Sequence, residues 1–202
     1  MTARTGSAPG YPQTRLALRA WQLDRAALAV RSLNAPGGGR KASWTAKAMA
    51  SPVGNWPHDR PLAATCAAPP ARKKKGDDDG EPDHGPVPGK ECSCGIYATT
   101  DLEVINGYLS RTAPVLGVVE LGGRVIPATQ GYRAAYARLA VILLVDEALT
   151  EPHSVLRDLA DAYRIPAVIP FSADPEDYRE LAGLPTLAAE AEAWLRQAGG
   201  AS

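Results

Sequence analysis

Between Leu16 and Leu33 the apolar side chains Leu16, Leu18, Trp21, Leu23, Leu28, Val30 and Leu33 are spaced mostly by two, with the polar pair Asp24-Arg25 between the halves. Because alternate residues of a strand share one face, this spacing predicts two strands joined by a tight turn. A single helix is the competing reading, since the alanines favour helix and Leu16, Ala20, Leu23 and Ala27 also fit its period. Farther along, Val115, Val118, Val119, Leu121, Val125 and Ile126 are punctuated by Gly117, Gly122 and Gly123. They predict two short strands folded back at the double glycine, with Glu120 and Arg124 placed to pair across the hairpin. Ala134 to Leu144, which follows Gly131-Tyr132-Arg133, fits either a helix or a buried strand, because an apolar run of that kind does not separate the two by period.

The last fifty residues read as helical. Val155, Leu156, Leu159, Ala162 and Tyr163 fall on one helix face, with Thr150 as N-cap, Pro152 in the first turn and Pro166 as the stop. Ala167 to Phe171 predicts one buried strand, and Asp174 caps a short helix through Leu181. Pro185 opens a final helix whose apolar face is Leu187, Ala191, Trp194 and Leu195, ended by Gly199-Gly200. Trp194 reads as core at that spacing. Trp44 and Trp56 lie in irregular sequence, where a ring of that size reads as a packed plug.

Composition divides the chain unevenly. Its 202 residues have room for one substantial domain or two small ones, yet 19 glycines and 18 prolines concentrate in the first half. Residues 1–15 read as a disordered lead and Asn34 to Arg40 as a loop. Within 67–91, Lys73-Lys74-Lys75-Gly76-Asp77-Asp78-Asp79-Gly80 is bracketed by Pro69, Pro70, Pro82, Pro86 and Pro88 and reads as a flexible, solvated loop. The aspartate triplet is a hydration device, because three consecutive carboxylates do not converge on a cation without carbonyl partners and a shaped turn. Lysine plus arginine equals aspartate plus glutamate at 22 each, so no global field draws the chain to nucleic acid or an anionic membrane. The longest apolar run, Leu139 to Val145, falls far short of the ~18 residues of a membrane span. Met1 to Pro12 has no apolar segment of the kind a secretory signal needs, which leads to the expectation of a cytoplasmic protein with reduced thiols. Richness in alanine, arginine, glycine and proline suggests a high-GC bacterial source.

Candidate chemistry concentrates at Cys66, His84, Cys92 and Cys94, the three cysteines and one of the three histidines. The spacing Cys-x17-His-x7-Cys-x-Cys supplies four donors of the kind a structural, tetrahedral zinc takes, and Gly95 follows the pair where a knuckle needs a small residue. A long loop between ligands is tolerated because closure entropy grows slowly with length. The Cys-x-Cys pair differs from the common Cys-x2-Cys knuckle. Unrelated buried cysteines, a redox pair Cys92 and Cys94, or a nucleophilic cysteine beside His84 are the alternatives. A catalytic zinc needs an open coordination position, which four filled ligands do not leave. His58 sits in a loop, solvent-facing by default, and is the substitute for a fourth ligand. His153 reads as neutral and exposed in a first helical turn. Asp146 and Glu147 diverge as neighbours in sequence and do not form a general acid and base pair. No Gly-x4-Gly-Lys-Ser/Thr, Gly-x-Gly-x2-Gly, Gly-x-Ser-x-Gly or His-Glu-x2-His occurs.

Taken together, Cys92-Ser93-Cys94-Gly95-Ile96-Tyr97-Ala98, Gly117 to Val125 and Gly131-Tyr132-Arg133-Ala134 make residues 16–140 resemble a group of uncharacterised proteins of actinobacteria and their mobile elements. That group shares a tryptophan near the start, an upstream cysteine and histidine, the Cys-x-Cys-Gly-[Ile/Leu]-[Tyr/Trp]-Ala signature and a glycine-flanked strand. Where it carries a tryptophan before the second strand glycine, this chain has Gly122. The resemblance implies a metal-binding domain and no particular activity. The expectation is an α+β protein: a small zinc-stabilised antiparallel β domain over 16–145, pinned through Cys66, His84, Cys92 and Cys94, followed by a helical segment over 146–202. Its expected role is that of a non-catalytic accessory or regulatory protein acting through a protein partner. The alternatives are a zinc-dependent hydrolase or transferase, a thiol redox protein, and a nucleic-acid-binding zinc module.

Overall fold

The opening strand has apolar residues of both parities, and both of its faces are covered. The structure, a computed structural model, describes residues 14–32, 55–64, 87–89, 94–109 and 115–183. In β1 (Arg15–Asp24), Ala17 and Trp21 point into one core and Leu16, Leu18 and Ala20 into a second. β1 turns into β2 (Ala29–Ser32), so the two-strand reading holds over the helical one. Asp24 Oδ1 accepts from the amides of Ala26 and Ala27, each at 3.1 Å, a local side-chain bond that competes with helix and starts the turn.

The remaining strands are β3 (Leu62–Ala63), β4 (Ile96–Ala98), β5 (Val115–Ala128), β6 (Gly131–Leu143) and β7 (Ala167–Val168). The helices are α1 (Leu102–Leu109), α2 (His153–Tyr163) and α3 (Arg179–Ala182), the last preceded by a 3-10 turn at Pro175–Tyr178. The sheet order is β2-β1-β5-β6-β3, and β4 and β7 also pair with β6. Thr99, directly after β4, exchanges both backbone hydrogen bonds with Leu18 of β1, at 2.6 and 2.9 Å. The ladder β1-β5-β6-β4 therefore returns to β1 and closes into a ring. Inside it lie Ala17, Trp21, Val119, Leu121, Ala134, Ala137, Leu139, Ile96 and Ala98, all buried. Trp56 stands against Trp21 edge to face with centroids 5.3 Å apart, and Leu156, Leu159 and Tyr163 of α2 join the same core. Trp56 is thus the core plug its sequence context predicts, whereas Trp44 lies outside the described residues. Ile105 of α1 and Tyr178 cover the outer face of β1, β5 and β6.

The expected fold class is corrected. The described chain is mainly one mixed seven-stranded sheet with short helices. It is neither a small antiparallel domain nor followed by a purely helical segment: β7, from the C-terminal segment, pairs parallel to β6, with Ile142 opposite Ala167 and Leu143 opposite Val168. The physical reason is burial on two sides. A sheet apolar on both faces needs cover on both, and the residues after 146 supply much of it. No group of three or more His, Cys, Asp and Glu side chains able to hold a metal exists among the described residues.

Three local readings change as well. β5 runs straight through the double glycine, where Gly123 and Arg124 face the single residue Ala135 as a bulge, and the chain reverses instead at Thr129-Gln130. Gly123 has φ +68°, so the glycine signal marked a positive-φ bulge, which needs the same conformation as a turn. Glu120 pairs with Arg138, directly opposite on β6, at 2.7 Å. The ambiguous run after Gly131 is strand. Thr150 does not cap α2; Pro152 occupies that position, and the Thr150 hydroxyl donates to the Asp146 carbonyl at 3.2 Å. Asp174 does cap, accepting from the Glu176 amide at 2.9 Å. The apolar run after Pro166 is strand only over its first two residues, and its end is exposed. The predicted helix from Pro185 lies outside the described residues.

Candidate metal centre

β4 is positioned at the closing edge of the ring, and Cys94 stands two residues before it. Its side chain is buried, and its Sγ accepts from the Gly89 amide at 3.2 Å. Its carbonyl accepts from Arg133 Nη1 at 3.3 Å, which ties the corner to β6. Gly95 has φ +119°, and a Cβ there would lie 2.9 Å from Pro88 Cβ and 3.2 Å from Arg133 Cβ. Glycine is therefore required at this position by both conformation and space, as its place after the cysteine pair suggested. Cys66, His84 and Cys92 lie outside the described residues, so of the four expected ligands only Cys94 has a described position.

The other sequence candidates take structural roles. His58 is exposed, as expected, but its ring is not idle: Nε2 lies 3.1 Å from the Leu28 carbonyl, and the ring meets Tyr163 edge-on with centroids 4.3 Å apart. His153 is half-buried where exposure was expected, and its Nε2 lies 2.6 Å from the Val145 carbonyl. A carbonyl only accepts, so Nε2 carries a proton. Asp146 and Glu147 do diverge. Asp146 Oδ1 accepts from the Ala148 amide at 2.8 Å, while Glu147 Oε1 accepts from the His153 amide at 3.0 Å.

Next to the Cys94 corner, two arginines that the sequence reading passed over organise the ring closure. Arg19 shares the inward parity of Ala17 and Trp21 but lies where β1 passes from β4 to β2. Its guanidinium donates to the Tyr97 carbonyl and, at 3.2 Å, to Ser32 Oγ. It also lies 5.4 Å from the Trp56 ring centroid, and Trp56 Nε1 donates to the same Ser32 Oγ at 3.0 Å. A planar cation with several donors spans a gap that backbone pairing leaves open. Arg133, nearly buried, stands 5.8 Å from the centroid of Tyr97, a ring 45% exposed at the surface. For Arg19 the signal available in sequence was an arginine at an inward strand position; Arg133 lies on the opposite face, directly across from Tyr97. On the far side, Tyr163 Oη accepts from the Val30 amide at 3.1 Å and donates to the Trp56 carbonyl at 2.8 Å. Burial pushes the Tyr163 pKa up to about 12 from an ordinary 10.0, against the opposing pull of the Val30 amide.

Among the described residues no helix is long and apolar enough to cross a membrane. No protein-family model, curated protein or solved structure matches the chain.

Proposed function

We propose that the protein is a non-catalytic accessory module that acts through a protein partner, with one zinc ion held by Cys94 together with Cys66, His84 and Cys92. The partner reading is carried by Ile169 and Phe171, large apolar side chains each 68% exposed and two residues apart beside β7. Single surface hydrophobics are ordinary, whereas neighbouring ones of this size mark contact surfaces. The zinc reading is supported by the Cys94 corner, where a backbone amide is aimed at a buried sulfur and a glycine turns the chain. Outer hydrogen bonds of that kind orient metal ligands.

Elemental analysis of the purified chain tests the metal. About one zinc per chain is expected for a tetrahedral structural site, and Cys94→Ser should lower metal content and melting temperature together. A metal-free chain that melts at the same temperature sinks the zinc part. Cross-linking in cells that make the protein tests the rest: a specific cross-linked protein is expected, and recovery of the chain with none removes the partner reading.

A further inference from the structure

β7 is an outer strand. Its inner side is used by β6, through Ile142 N to the Pro166 carbonyl at 3.0 Å and Leu144 N to the Val168 carbonyl at 2.7 Å. Alternation along the strand turns the N–H and C=O of Ala167 to the other side, and among the described residues no strand pairs there. The exposed side chains of Ile169 and Phe171 follow at once. Phe171 leans on Tyr178, with ring centroids 5.1 Å apart. The Tyr178 hydroxyl in turn donates to the Ser172 carbonyl at 2.8 Å, so the 3-10 turn is held against the apolar pair. That turn and α3 carry Asp174, Glu176, Asp177 and Glu180, all exposed. The one cation among them, Arg179, is paired with Glu176 at 2.8 Å, and Arg164 lies at the opposite end of β7.

We propose that the outer edge of β7, with Ile169 and Phe171, receives an extended segment of a partner protein whose apolar residues are flanked by lysine or arginine. The inference rests on the partner reading above and names its site and chemistry. Three features converge on one occupant. An open strand edge offers main-chain hydrogen bonds to an extended segment. The apolar pair, just past the end of the strand, offers side-chain contact beside that edge. The acidic rim favours a basic segment and opposes an acidic one.

Fluorescence anisotropy on the full chain tests this with three labelled octapeptides: alternating valine and lysine, alternating valine and glutamate, and the lysine peptide with one central valine replaced by proline. The lysine peptide should bind, more weakly as salt is raised, because the attraction is between exposed charges. The glutamate peptide should not bind, and proline, which lacks the N–H, should weaken binding. The double variant Ile169→Ser/Phe171→Ser should lose about ten-fold or more in affinity, as for the anchors of an interface, with its melting temperature kept because both residues are exposed. Binding should also slow hydrogen exchange at the Ala167 and Ile169 amides. Equal binding by the double variant, equal binding of the glutamate peptide, unchanged exchange at those amides, or binding by none of the peptides overturns the proposal. A dimer in sedimentation that Phe171→Ser abolishes assigns the surface to a second copy and overturns it too. So does peptide binding that appears only after truncation at Gly183, which makes residues 184–202 the occupant. A cellular partner still cross-linked to the double variant defeats this surface and leaves the partner reading standing, whereas no partner for the wild type defeats that reading itself.

Discussion

Tyr163 does more for the fold than its place on a helix face predicted. Its hydroxyl joins the Val30 amide and the Trp56 carbonyl, so it fastens α2 to β2 and to the segment that plugs the ring. Tyr163→Phe removes the donor to Trp56 and strands the buried Val30 amide, a loss of about 1–3 kcal/mol that urea unfolding would read. The same tyrosine makes stability depend on pH at the alkaline end. Its folded pKa lies above its unfolded one, so its contribution is complete below pH 10 and is lost as pH rises through about 12. Melting temperature should fall across that window, and the fall should be shallower in Tyr163→Phe. Equal slopes for the two chains would contradict this.

Elements in this sheet are set as much by close approach as by strand propensity. Gly131 opens β6 at φ +141°, and a Cβ there would sit 2.2 Å from the Ala98 carbonyl oxygen and 2.6 Å from Thr99 Cα. Those atoms belong to the short stretch that closes the ring onto Leu18. Gly131→Ala must therefore push β4 and Thr99 away from β6, and it is strained by conformation as well as by space. It should cost well over the ~1 kcal/mol of an average substitution, and hydrogen exchange at the Leu18 and Thr99 amides should rise more than at β2. The bulge at Gly123 shows why its signal misled: glycine marks positive φ, and positive φ serves a bulge inside a continuous strand as readily as a hairpin turn.

At the scale of the whole molecule, the residues after 146 share cores with the first strand. Leu156 and Leu159 lie in the interior cluster with Ala17 and Trp21, and Tyr178 packs with Leu16 and Leu18 on the opposite face. Leu156→Ala should cost about 2–5 kcal/mol, as for a fully buried leucine. It should also raise the exchange of β1 amides together with those of α2. Loosening confined to α2 would show that the C-terminal segment unfolds on its own. The two-strand start, α2 and the Asp174-capped turn were legible because each depends on local periodicity or a local side-chain bond. The ring closure at Leu18 and Thr99, the Arg19 bridge and the parallel pairing of β7 were not, because each joins residues far apart in the chain.

The sequence by itself determined where apolar faces recur, where backbone conformations demand glycine, and which cysteine corner has a glycine behind it. Those properties reside in single residues and their near neighbours. Only the tertiary structure decided which faces meet: that β1 is buried on both sides, that β4 closes the ring, and that Ile169 and Phe171 stand outside while other apolar residues are covered. Burial is a property of pairs of surfaces, and a periodic pattern on one element holds for any partner whose shape and polarity fit it.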